Sequence, residues 1–184
     1  MEIVQTPIDG LFEFRRRKFT DERGWFTEHF NRASIPSSYR EMLPEFVQDN
    51  LSFSKAGVIR GLHLQRSPSA QAKWVSVISG RVYDVAVDLR SGSATFGQFY
   101  GLELTGEAQN GLFIPEGFAH GFAALEDSYF FYKCSSPYNP AAEAGICWND
   151  INVGIPWPLS KPIVSAKDQA LPPLEDFVKK YVIS

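Results

Sequence analysis

Arg60, Gly61, Leu62 and His63, followed ten residues later by Lys73, set an imidazole beside two fixed positive charges in a chain with three histidines. Imidazole titrates near neutrality, which suits it to acid–base chemistry. Buried beside Arg60 and Lys73, His63 is disfavoured as a cation and stays a competent neutral base. The plain alternative is a packed, hydrogen-bonded core histidine. If His63 and Gln65 face inward, strict alternation sends Arg60 to the other side. That changes if the strand begins after Arg60 or bulges at Gly61, a break that glycine permits.

Other residues carry similar double readings. Lys73 shares a strand face with Val75 and Val77; it either holds developing negative charge in a pocket or protects a sheet edge. His120 sits in the apolar, glycine-flanked run Ile114–Phe122, where an imidazole comes close to a ligand or is simply structural. Tyr132 belongs to the aromatic run Tyr129–Lys133, which reads first as core, but a buried phenol needs a partner and beside cations can exchange a proton. Arg23 follows Asp21 and Glu22 in a charged turn ending at Gly24, and Asp168 could cap a local turn. Spacing alone does not choose among these. A metal site is not expected: His63 is followed by Leu64 and Gln65, His120 has no near partner, and His29 falls opposite Phe26, Glu28 and Phe30 on a strand.

The elements that must hold these groups read as strands. Val82–Leu89 alternates, with Tyr83, Val85, Val87 and Leu89 on a core face and Asp84 and Asp88 on the other. Further strands are expected at Trp25–Phe30, Lys73–Ser79, Phe96–Leu104, Gly111–Ile114, Phe118–Leu125 and Tyr129–Cys134. Helical signals are confined to Ser37–Leu43 and Leu174–Tyr181. Many short strands favour an all-β jelly-roll barrel with short peripheral helices, because closure removes exposed edges. Residues 156–173 are proline-rich and lack the apolar periodicity for a core of their own, so a wrapping C-terminal segment of about 156–184 is expected.

At 184 residues and 44% hydrophobic content the chain can bury a proper core, and a single domain over residues 1–184 is expected. A formal net charge of −3 with interspersed signs argues against a nucleic-acid or membrane surface, while leaving room for a small anionic ligand on local arginines. Cys134 and Cys147 are too few and unpatterned for a disulfide framework or zinc site. With no basic, apolar leader in Met1–Gly10 and no run of membrane-spanning length, a soluble cytoplasmic protein is expected.

Several motifs in order carry more information than any one. Asp21-Glu22-Arg23-Gly24, Phe46-Val47-Gln48-Asp49-Asn50, Arg60-Gly61-Leu62-His63, Ile114–Phe122, Tyr132-Lys133, Trp148-Asn149-Asp150 and Lys167-Asp168 together resemble the dTDP-4-dehydrorhamnose 3,5-epimerase family of the cupin superfamily over nearly the whole chain. The resemblance implies His63 as catalytic base, Asp168 as its orienting partner, Tyr132 as general acid and Lys73 near the substrate carbonyl. It also implies His120 as a second pocket histidine and ligand contacts from Arg23, Glu28, Gln48, Asn50, Arg60, Glu143 and Lys167. Phe26, Tyr138 and Trp148 become aromatic wall. No metal or organic cofactor is implied, because a C4 ketone already acidifies the hydrogens on C3 and C5 of the sugar.

The resemblance further implies a homodimer whose N-terminal strands extend a neighbour's sheet, so that Arg23 and Glu28 complete the partner's pocket. Two departures, Leu64 where an aromatic is usual and a proline-poor Ser67–Ala72, bear on how many carbons are epimerised. Epimerisation of dTDP-4-dehydro-6-deoxy-D-glucose at C3 and C5, in dTDP-L-rhamnose synthesis, therefore stands beside single-carbon epimerisation of another dTDP-deoxysugar. A cupin that binds a sugar nucleotide without turning it over is the reading from another class.

Overall fold

The computed structural model describes residues 1–181. Strands β1 (Glu2–Gln5) and β2 (Phe12–Arg15) open the chain, followed by a small hairpin of β3 (Phe19–Asp21) and β4 (Gly24–Phe26). The one-turn helix α1 (Ser37–Arg40) precedes β5 (Gln48–Ser54), β6 (Val58–Gln65), β7 (Lys73–Ser79) and β8 (Arg81–Asp88). Then come β9 (Phe99–Thr105), β10 (Asn110–Ile114), β11 (Phe118–Ala124) and β12 (Ser128–Cys134). The C-terminal part holds β13 (Glu143–Gly145), β14 (Ile163–Val164), α2 (Ala166–Gln169) and α3 (Leu174–Tyr181).

The strands form two sheets packed face to face, one ordered β1-β2-β10-β7-β12-β5 and the other β13-β6-β11-β8-β9 with β14 beside β6. This is the all-β jelly roll expected. Its sheets lie against each other without joining into one continuous barrel. Among the described residues no helix is long and apolar enough to cross a membrane.

Apolar residues fill three layers. Val75, Val77, Val82, Ala86, Leu112, Phe122 and Phe130 meet between the sheets. Leu62, Val85, Val87, Ile146, Val153 and Phe177 pack on the outer side of the second sheet, under the C-terminal segment. Phe12, Phe14, Trp74 and Phe113 pack on the outer side of the first, where Trp74 stacks on Phe14 with ring centroids 3.8 Å apart. Each large ring buries about 150–250 Å² and anchors the layer.

Because the second sheet is covered on both sides, β8 differs from the sequence reading. The face that carries the two carboxylates also takes Val82 and Ala86 into the intersheet core, and Asp84 and Asp88 are both fully buried. Asp88 is satisfied by Arg90, Ser93 and Thr95 in the following turn. That turn, which also uses Gly97 N–H donating to Asp88 O, delays β9 to Phe99 instead of Phe96.

The expected strand Trp25–Phe30 ends at Phe26. Asn31 caps the next turn and donates to Glu28, while Phe30 folds back edge-on to Trp74 at 5.5 Å. Burying Phe30 on Trp74 wins over extending an isolated two-stranded hairpin. Helix α1 closes at Arg40, short of Leu43, whereas α3 matches its expected span. Residues 156–173 run along the outer side of β6, where β14 pairs in parallel with Val58 and Ile59. The final part of the expected wrapping segment, residues 182–184, lies outside the described residues.

Candidate active site

Strand β6 bulges at Gly61. His63 pairs with His120 and Arg60 with Phe122, so Gly61 and Leu62 together oppose Gly121 alone. The extra residue brings Arg60 and His63, three apart, onto the same inward face. Gly61 sits at φ +117°, and a β-carbon there would lie 2.6 Å from Gly121 Cα. Only glycine lets the two backbones approach this closely.

The inward faces of β5, β6, β7, β11 and β12 surround a cavity of about 320 Å³ lined by Arg60, His63, Lys73, His120, Tyr132 and Asp168 among others. It adjoins a second of about 230 Å³ that shares His63, Lys73 and Tyr132 and adds Gln48, Asn50, Tyr138 and Glu143. Strand β5 supplies the polar wall: Gln48, Asn50 and Ser52 face the cavities, while Leu51 and Phe53 face outward and are exposed.

His63 Nε2 lies 2.7 Å from Asp168 Oδ1, and the other carboxylate oxygen accepts from Gly61 N–H at 3.2 Å. An ionised carboxylate only accepts, so Nε2 carries the proton and Nδ1 keeps the free lone pair. Asp168 is itself held by the Ser165 hydroxyl, which accepts its backbone N–H. Burial pushes the His63 pKa below its ordinary value; Asp168 pulls the other way by charge and hydrogen bond, and Lys73 adds to the lowering. The result is an oriented, neutral imidazole.

Lys73 is buried on the same face as Val75 and Val77, with Nζ donating to His63 O at 3.4 Å. Burial depresses its pKa, while the Cys134 thiol, Asp84 and Glu143 oppose that. An anion arriving beside Lys73 would relieve the desolvation. Tyr132, opposite Val75 on β7, has its phenol pKa raised by burial, which keeps it protonated and able to donate. His120 Nε2 donates to Asp84 Oδ1 at 2.8 Å. Asp84 was not expected at the site; its position two residues before Ala86 on an inward-facing strand is the signal that parity could have supplied.

Towards the mouth, Arg60 Nε donates to Ser54 Oγ at 2.9 Å. Lys167 Nζ donates to both Glu143 oxygens at 2.7 Å, and Tyr138 OH donates to Glu143 Oε2 at 2.9 Å. Gln48 Nε2 donates to Asn50 Oδ1 at 2.9 Å. Thus His63, Lys73, Tyr132, Asp168, His120, Arg60, Gln48, Asn50, Tyr138, Glu143 and Lys167 converge. Cys134 also lines the second cavity, with Asn50 Nδ2 donating to its sulfur at 3.6 Å, and nothing in its sequence surroundings signals that place.

Arg23, Phe26, Glu28 and Trp148 line neither cavity. Arg23 pairs with Asp21 on the exposed β3–β4 hairpin, where Phe26 is 65% exposed. Glu28 accepts from Asn31. Trp148 accepts through its carbonyl from Trp157 Nε1 at 2.6 Å, beneath the C-terminal segment.

The family model described as dTDP-4-dehydrorhamnose 3,5-epimerase matches residues 5–176. A dTDP-4-dehydrorhamnose 3,5-epimerase of Shigella flexneri is 45% identical over 169 residues, 91% of this chain and 93% of that protein. The crystal structure of such an enzyme from Elizabethkingia anophelis NUHP1 superposes with a TM-score of 0.90 at 44% identity, covering 96% of this chain and 97% of the other. A dTDP-6-deoxy-D-glucose-3,5-epimerase from Legionella pneumophila, solved with dTDP-4-keto-L-rhamnose, gives 0.86 at 44% identity, with coverage of 95% and 93%. The match takes in both sheets and the segment that delivers Asp168 to His63, and this chain belongs to the dTDP-4-dehydrorhamnose 3,5-epimerase family.

Proposed function

We propose that the paired cavities bind dTDP-4-dehydro-6-deoxy-D-glucose and that the enzyme, an isomerase, inverts C3 and C5 by proton abstraction beside the C4 ketone. The observation that carries this reading is the Asp168–His63 pair, 2.7 Å apart, opening on a cavity shared with Lys73 and Tyr132. His63 Nδ1 removes a proton from carbon. The ketone takes up the charge as an enolate, and the Lys73 ammonium stabilises that oxygen in a site where burial has stripped water away. Tyr132 returns a proton from the opposite face. Its raised pKa suits the protonated role.

Both carbons flank the same carbonyl, so one base and one acid serve both if the ring turns between steps while the nucleotide stays anchored. Arg60 and Lys167 at the mouth are suited to a diphosphate, whose remote binding fixes the reacting carbons. His120, Gln48, Asn50 and Tyr138 line the remaining wall. The ketone supplies the acidity of the C–H bonds, so the reaction as proposed uses no cofactor.

We infer a homodimer. Leu51, Phe53, Ile78 and Tyr129 leave an exposed apolar patch on the outer side of the first sheet, and Arg23, Phe26 and Glu28 stand away from their own cavity. In this reading a second copy covers the patch and receives those residues at its cavity. Mixing His63→Ala and Arg23→Ala proteins should restore activity in heterodimers that retain one intact site; no recovery in any mixed dimer would sink the idea. The free Cys134 and Cys147 favour a reducing, cytoplasmic setting.

The test of the function is proton NMR in deuterated water. Turnover should place solvent deuterium at both C3 and C5; exchange at one carbon would assign a single-carbon epimerase, and binding without exchange a non-catalytic cupin.

A further inference from the structure

Lys167 and Glu143 form a bridge with no role in the proton transfers above. Lys167 stands on α2 and lines the first cavity; Glu143 stands on β13 and lines the second. Their contact, 2.7 Å to each carboxylate oxygen, spans the place where the cavities meet. Glu143 pairs with Gln65, and Gly145 pairs with His63. Glu143 is therefore the diagonal neighbour of His63 on the inward face, and on the β13 side the residue directly opposite the histidine is Gly145.

A lysine shared with a carboxylate is not the strongest partner for either. A diphosphate offers Lys167 more charge and more acceptor oxygens than one carboxylate does. Lys167 has a side chain 60% exposed, free to swing, whereas the Glu143 side chain is 21% exposed and held from another side by the Tyr138 hydroxyl. If Lys167 moves, Glu143 stays.

Resting on the epimerase reading, we propose that Lys167 leaves Glu143 for the diphosphate of the bound nucleotide, and that the uncovered carboxylate becomes a ligand-switched counter-charge to His63. The base is then strengthened only when substrate is anchored. Around the cavities that His63 lines stand Arg60 on its own strand, Asp168 and Lys167 on α2, Lys73 on β7, His120 on β11, Tyr132 and Cys134 on β12, and Glu143 on β13. Asp168 and Glu143 favour the imidazolium, Lys73 opposes it, and burial exceeds each of them. Burial also works against the Glu143 carboxylate, but hydrogen bonds from Lys167 and Tyr138 with the Lys167 charge hold its pKa below the usual range. Removing Lys167 from that set leaves a negative charge facing His63 that is no longer cancelled. Glu143 thus acts through His63 as a positioning charge.

The experiment is an NMR titration of the His63 imidazole in the full chain, with and without dTDP, in wild type, Glu143→Gln and Lys167→Met. The chain has three histidines, so substitution of each assigns the resonances. The dTDP diphosphate raises the His63 pKa directly in every form. In wild type the rise should exceed that in Glu143→Gln by about half a pH unit, the size of one partly screened charge across the cavity. In Lys167→Met the unliganded pKa should already be raised by a similar amount. Equal dTDP-induced shifts in wild type and Glu143→Gln, no dTDP effect in wild type, or an unliganded Lys167→Met identical to wild type would each overturn the relay. Deuterium exchange on the same samples separates the two ideas: exchange with equal shifts leaves the epimerase and removes the relay, and the reverse result does the opposite.

Discussion

Replacing Asp168 by Asn changes the base without changing its volume. Asp168 is 4% exposed, and its two oxygens accept from His63 Nε2 at 2.7 Å and Gly61 N–H at 3.2 Å. Asparagine has one acceptor for those two donors. If its oxygen faces Gly61, its NH2 faces His63 and selects the tautomer whose Nδ1 carries a proton, which disables the base. If the oxygen faces His63, two donors collide at Gly61. In either orientation the charge that supports a nascent imidazolium is gone. Two unit charges ~4 Å apart at an effective dielectric of ~20 interact by about 4 kcal/mol. With roughly half of the proton transferred at the transition state, about 2 kcal/mol is lost, or about 30-fold in kcat.

The wrong tautomer adds a further factor of up to about 100 by analogy with Asp-to-Asn changes in other oriented histidines. Because Asp168 raises the His63 pKa, its loss should also move the acid limb of kcat/KM to lower pH. Rates of deuterium entry at C3 and C5 across pH measure both effects, and circular dichroism controls for folding. A variant within threefold of wild type with an unmoved acid limb would refute the assigned orientation of His63.

Tyr132→Phe removes the proton donor but not the base, so deuterium entry with retained configuration should survive while inversion falls by about 100-fold; equal loss of both would place Tyr132 elsewhere in the reaction. Gly61→Ala forces a β-carbon to within 2.6 Å of Gly121 Cα at φ +117°, and should lower stability by about 2–4 kcal/mol in urea unfolding. His29, half-buried against Phe131 and 3.3 Å from Ser76 Oγ, has its pKa lowered to about 4 by burial first and then by Arg16 and Lys133. The unfolded chain binds its proton near pH 6.5, so stability is full above that value and declines as pH falls towards about 4. Partial exposure limits the loss to about 2 kcal/mol, and His29→Gln should flatten the pH profile of thermal unfolding in that window.

Those sites differ in how far the sequence announced them. Lys73–Ser79 is visible from end to end because Val75 and Val77 alternate with Trp74 and Ser76, and both parities survive in the structure. The sequence leaves two ways to bring Arg60 to the side of His63, a strand that begins after Arg60 or a bulge at Gly61, and the register against β11 selects the bulge. Strand β5 is not legible: its inward residues Gln48, Asn50 and Ser52 are polar and its outward Leu51 and Phe53 apolar, the reverse of what a strand over a dry core displays. That inversion is the mark of a wall facing a polar cavity. The burial of Asp84 is hidden for a related reason, because the packing of the first sheet against its face is a tertiary fact that no local period carries. Asp168 meets Gly61 and His63 across more than a hundred residues, a contact that only the path of the C-terminal segment along β6 creates.

The role of His63 as the carbon-acid base is decided by comparing wild type with His63→Ala on dTDP-4-dehydro-6-deoxy-D-glucose in deuterated water. Wild type should incorporate solvent deuterium at both C3 and C5, and His63→Ala at neither while still binding dTDP. Deuterium entering either carbon at the wild-type rate in His63→Ala would place the base on another residue.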